Sequence, residues 1–185
     1  MTIPIKSIAG IFLFIGAALS FAGIIVSEAL YPDYHITQVI SDLGVGSTAQ
    51  IFTTSIVIFG VLLIAAAYVL SKEGIDFWFC ALMAIVGFGQ IGVGFFPETT
   101  GTPHFIFAGT VFIFGGILAI LSFRVFRGPW AYISLTLGII TIIAIILLEA
   151  QLYFGLGKGG MERLIAYPLL FWTFGSGAIL MMPEK

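Results

Sequence analysis

The sequence predicts an all-α, polytopic membrane protein: a six-transmembrane-helix bundle with a short amphipathic helix between spans 1 and 2. Three observations predict it. The chain has 185 residues, 60% of them hydrophobic and 9% charged, where a soluble domain carries roughly 25% charged residues. Its mean hydropathy is +1.18, more apolar surface than a soluble fold of this size can hide. The apolar residues also fall into six continuous runs, at 7–30, 50–71, 77–96, 104–123, 130–153 and 163–182. Each is close to the roughly 20 residues that cross a bilayer as a helix.

Strands do not fit these runs, which are continuous rather than alternating and longer than the ~9–11 residues of a barrel strand. The linkers are short, so consecutive helices form antiparallel hairpins within a single transmembrane helical domain spanning 1–185. The first run is too long for a removed signal peptide and lacks a small-residue cleavage pattern. "SKEG" at 71–74 supplies a glycine stop to the second span. "FRGPW" at 126–130 places Pro129 where a helix can start without its N–H. The lone Cys80 lies inside an apolar run and excludes paired-thiol chemistry and multi-cysteine metal sites. "GFGQIGVG" at 87–94 and "FGG" at 114–116 give small faces for close helix approach. Gln90, set among them, is expected to bond to a neighbouring helix.

Charge sets the orientation. With six spans, Lys6, Lys72, Arg124, Arg127 and Lys185 share one side, and only Lys158 and Arg163 fall on the other. Basic residues stay inside, so both termini are expected in the cytoplasm of a multi-pass cell-membrane protein. Glu73, Asp76 and Glu184 are then inside. Glu28, Asp33, Asp42, Glu98, Glu149 and Glu162 are at or near the outer side, with both histidines, His35 and His104.

Two outer segments concentrate the polar chemistry. In "YPDYHITQVISDLG" (31–44), Ile36, Val39, Ile40 and Leu43 form one stripe at helical spacing, and His35, Gln38 and Asp42 the other. A short amphipathic helix over 36–43 follows, stopped by Gly44 and presenting His35 and Asp42 to one place. In "FPETTGTPH" (96–104), Pro97 and Pro103 restrict the loop that carries Glu98 and His104. The two segments are expected to share one polar pocket, with His104 near Glu98 or Asp42 and His35 at the rim.

"SDLG" near the start of the second span, "FPE", a following Gly and then His at the head of the fourth span resemble a family of prokaryotic membrane proteins. That family is known as domain of unknown function 998, and the likeness is best over residues 28 to 123. It is more distantly similar to six-span proteins of the Frag1/DRAM type, some of them linked to lipid remodelling. The resemblance implies a six-span bundle and a shared polar cluster at Ser41, Asp42, Glu98 and His104. It implies no reaction.

Each site residue also has a plain structural reading. His35, His104, Asp42 and Glu98 have the side-chain types of a divalent-metal shell, but their spacing matches no ligand motif. Headgroup-zone residues that cap helices and bond to one another explain them equally. A haem held by both histidines is the weakest of these alternatives. Asp33 can cap the short helix, and Ser41 and Asp42 can cap the second span. Glu28 and Glu149 sit near span ends, where an acid marks either a site or a buried partner. Arg163 is the expected partner of Glu149, or with Lys158 a receiver of an anionic group. "FGLGKGG" (154–160) lacks the GK[ST] ending and preceding strand of a phosphate loop. No basic patch supports nucleic-acid binding.

Three functions remain open to the sequence. First is a lipid- or small-molecule-binding or accessory membrane protein, acting alone, as a homo-oligomer or as a subunit of a larger membrane complex. Second is an intramembrane, metal-assisted lipid hydrolase or transferase. Third is a transporter, weakened by the lack of charged residues through the inner half of the membrane. The topology is directly testable: a reporter fused after Lys185 is expected to read as cytoplasmic, and an extracytoplasmic signal would reverse the assignment.

Overall fold

The structure, a computed structural model, describes residues 4–183. Glu184 and Lys185, counted above on the cytoplasmic side, lie outside them. Six long helices follow one another: α1 (Ile5–Leu30), α2 (Ala49–Lys72), α3 (Phe77–Phe95), α4 (Thr102–Val125), α5 (Pro129–Glu149) and α6 (Gly157–Met181). All six are long and apolar enough to cross a membrane. Each packs on its chain neighbours, and α6 returns against α1 to close the ring, with a further contact to α4 across it.

The helix boundaries have local causes. Gly74, at φ 74°, turns the chain out of α2. Asp76 then caps α3, its side chain accepting from the Trp78 N–H at 2.9 Å, which satisfies one of the donors a helix start leaves open. Prolines stand in the first turns of α4 and α5. α6 begins at Gly157 rather than near 163, so the glycine-rich stretch belongs partly to the helix.

Many large side chains face outward, and the buried helix faces are rich in small ones. Phe88 and Phe105 are 62% and 66% exposed, whereas the buried face of α1 includes Ser7, Gly10, Ala17, Ser20 and Gly23. Lipid is as apolar as leucine, so helices associate in a bilayer through close packing and interhelical hydrogen bonds. Glycine pairs supply the closeness. A Cβ at Gly60 would stand 2.5 Å from the Gly87 carbonyl oxygen, and one at Gly87 2.7 Å from that of Gly60. Gly10 and Gly177 join α1 to α6 in the same reciprocal way, at 2.7 and 2.8 Å. Two indoles add polar ties, Trp172 Nε1 donating to Ser122 Oγ at 2.9 Å and Trp130 Nε1 to Ser176 Oγ at 3.3 Å.

A short helix does stand between α1 and α2, but it is a single 3-10 element, Ile40–Gly44. The predicted stripe over 36–43 does not hold: Ile36 is 68% exposed while Ile40 is 5% exposed. Residues 35–39 instead turn irregularly, because the carbonyls of Ile36, Thr37 and Gln38 are taken by donors on α6. Ile40 and Leu43 still point into the bundle while Ser41 and Asp42 stay half-buried at its polar end.

The packing argument predicts opposite outcomes for two glycines. Gly60→Leu should destabilise the bundle by about 1–3 kcal/mol through overpacking. Gly109→Ala, where a Cβ meets nothing within 4 Å, should stabilise it by up to about 1 kcal/mol through helix propensity. Thermal unfolding of both variants in the same detergent reads the difference.

Candidate functional site

The polar end of the bundle is organised by Arg163. It sits in the second turn of α6 and is 6% exposed. Nη1 donates to the carbonyls of Ile36 at 2.9 Å, Gln38 at 3.0 Å and Gly159 at 3.0 Å. Nη2 forms a close ion pair with Glu28 of α1 and donates to the Tyr34 hydroxyl at 2.8 Å. Tyr34 in turn donates to the Val39 carbonyl at 3.1 Å. Burial pushes the Tyr34 phenol up to about 12, against the opposing pull of Arg163.

The 31–48 segment is thereby strapped over the bundle end. Its second anchor is Gly159, whose N–H donates to the Thr37 carbonyl at 3.0 Å. A Cβ there would fall 1.9 Å from the Gln38 carbonyl oxygen, so no larger residue allows this approach. The third anchor is Glu162, which accepts from the Ile40 N–H. The fourth is Ser41, whose hydroxyl donates to Glu98 Oε2 at 2.8 Å and ties the strap to the 96–101 loop.

Beside that bond lies a carboxylate pair. Burial raises Asp42 above the usual carboxylate range, and the negative charge of Glu98 and a hydrogen bond with it raise it further. Two such groups at close range favour holding one proton between them.

Beneath the strap is a chamber of about 80 Å³ among α1, α2, α3, α4 and α6. That is room for several waters or the end of a small amphipathic molecule. Its walls are mainly apolar, with Ile24, Phe52, Phe59 and Phe112 among them, and its polar lining is Ser20, Ser41, Gln90, His104 and Glu162. His104 is 4% exposed and its Nδ1 stands 2.8 Å from the Phe96 carbonyl oxygen. A carbonyl only accepts, so Nδ1 carries a proton, and in the neutral ring Nε2 is left as an acceptor.

Over residues 14–179 the chain matches the family described as "Protein of unknown function (DUF998)". It belongs to that family. No match was found among curated proteins or among solved structures. The match reaches from α1 to α6 and so takes in the whole bundle of this DUF998 protein, strap and chamber included. It carries nothing toward the Frag1/DRAM type.

The structure joins some of the sequence's candidates and separates others. Ser41, Asp42 and Glu98 meet directly, and His104 lies in the chamber below them. His35 is exposed and does not line the chamber. Among the described residues no group of three His, Cys, Asp or Glu is arranged to hold a metal; His35 at the surface and buried His104 do not converge. The expected Glu149–Arg163 pair does not form. α5 ends at Glu149, which is exposed, whereas Arg163 turns inward to Glu28.

Glu162, Gln90, Ser20 and Tyr34 were not singled out as site residues. Glu162 stands next to Arg163 in the sequence, but adjacent residues on a helix point about 100° apart, so the two side chains diverge. Gln90 makes no hydrogen bond to another helix and lines the chamber instead. An amide inside an apolar run was its signal; Ser20, one small residue among many, had none.

Two experiments follow. Glu28→Ala leaves a buried guanidinium without its carboxylate and should cost about 3–5 kcal/mol, while Glu149→Ala should stay within about 0.5 kcal/mol. In cycles with Arg163→Ala, the Glu28 change should be strongly non-additive and the Glu149 change additive. Because Asp42 is raised in the folded state, the fold binds more protons than the unfolded chain between the ordinary and the raised value. Stability should therefore fall as pH rises through that window, and Asp42→Asn should flatten the fall in thermal scans across pH.

Proposed function

We propose that this protein binds the apolar part of a lipid or other small amphipathic molecule in the chamber under the 31–48 strap. The observation that carries this reading is the chamber itself. It has an apolar, aromatic-rich wall and a few convergent polar groups, the usual make-up of a small-molecule site. A bundle packed only for stability fills such a space, because each void forfeits packing contacts. In the proposed topology both termini are cytoplasmic, the protein resides in the cell membrane, and the strap faces outside. The ligand then arrives from the outer leaflet or the external medium.

A second reading, an intramembrane hydrolase or transferase, is favoured by one observation. Asp42, raised by burial and by the neighbouring Glu98, follows Ser41 of the chamber lining, which His104 shares, and a carboxyl with a raised pKa can serve as a general acid. Binding precedes any such chemistry, so the first test is the same for both. Native mass spectrometry of the full chain released from detergent is expected to show one bound amphiphile, its mass telling a phospholipid from a smaller molecule. Ala108→Phe, which fills the chamber from α4, should lose that adduct and keep its thermal stability. A wild type without adduct, or equal retention in the variant, overturns the reading.

A further inference from the structure

The polar lining of the chamber has a pronounced bias. His104 Nε2 is an acceptor without a protein partner. Ser41 donates its hydroxyl hydrogen bond to Glu98, so toward the chamber its oxygen accepts. Glu162 accepts one backbone N–H through Oε2, and its other oxygen has no donor. No lysine or arginine lines the chamber beside it: Arg163, the adjacent residue, is committed to Glu28, and Lys158 is exposed. Asp42 and Glu98 stand just above and add negative potential.

Two further groups point to a ligand. Gln90 is 8% exposed and Ser20 1% exposed. Both line the chamber, and neither side chain has a hydrogen-bond partner among the described residues. Buried polar groups are ordinarily paired. An unpaired amide, an unpaired hydroxyl and a carboxyl group with one unpartnered oxygen therefore mark a place where a ligand can supply donors. Phe52, Phe59 and Phe112 complete the wall. Aromatic faces accept both apolar groups and cations.

The geometry points to a small organic ammonium with an apolar body as the chamber's ligand, its N–H donors meeting Glu162 and Gln90 and its body lying among the phenylalanines. This rests on the chamber being a binding site, as proposed above, and adds the charge of the ligand. An anionic group is disfavoured, since it would meet acceptors and acidic side chains with no lysine or arginine in the chamber lining to receive it. The ammonium would be desolvated, a cost that a facing carboxylate offsets.

Three probes with one body and different charge decide this: benzylammonium, benzyl alcohol and benzoate, titrated by ligand-observed NMR against the detergent-solubilised full chain at neutral pH. Benzylammonium is expected to bind at least about tenfold more tightly than benzoate. Glu162→Gln keeps an acceptor for the Ile40 N–H and should lower benzylammonium affinity about tenfold while leaving benzyl alcohol unchanged. Should that variant fail to fold, Gln90→Leu carries the test, with an expected several-fold loss for the ammonium alone. Ala108→Phe should abolish binding of every probe. If the probes bind equally, and Glu162→Gln and Gln90→Leu change nothing, the ammonium assignment falls and the binding chamber stands. If none binds the wild type, while the adduct seen by mass spectrometry is still lost in Ala108→Phe, the ammonium assignment again falls alone. If that adduct is also absent, both fall.

Discussion

One buried guanidinium governs the polar end of this protein. Arg163 holds Glu28 of α1, the Tyr34 hydroxyl and three backbone carbonyls at once. A charge at that depth is costly unless paired and hydrogen-bonded, so its partners cannot drift without exposing it. The carbonyls of Ile36 and Gln38 belong to a stretch with no regular structure of its own. Arg163 supplies the donors that a helix would have supplied, and the strap is ordered by that exchange.

From this follows the separation of roles at the bundle end. Arg163 faces α1 and spends its charge on structure. Glu162, one residue earlier, faces the chamber and accepts a single backbone N–H. Ile40 and Leu43 close the top of the bundle from the strap, and Ser41 fastens it to the loop at Glu98. The chamber owes its existence to this roof. Without the strap its upper surface would open to headgroups and water, and Gln90 and His104 would be ordinary interfacial residues.

The lower bundle obeys a different constraint. Glycine pairs bring α1 onto α6 and α2 onto α3 at backbone distance, and large side chains are turned to lipid. α2 and α3 approach closely below the roof, yet Phe52, Phe59 and Val93 meet no filler in the chamber. Tight packing in most of the bundle makes the unfilled volume under the polar roof more telling.

The sequence by itself determined the class, the six spans and the gathering of acids and histidines at one end. Hydropathy and run length act locally, and a bilayer leaves an apolar run of about 20 residues few alternatives to a helix. The DUF998 family was legible too, in "SDLG", "FPE" and the histidine at the head of α4. Tertiary structure alone decided the partners. Glu28 and Arg163 lie far apart in the chain and meet because α6 closes the ring against α1. Glu149 fell away because α5 stopped there, facing out. The predicted helix over 36–43 yielded because carbonyl acceptors at Ile36 and Gln38 were worth more to a buried arginine than to a local helical turn. Periodicity reports which face a segment would bury alone. It cannot report a charged side chain arriving from the far end of the sequence, and that arrival shaped the site.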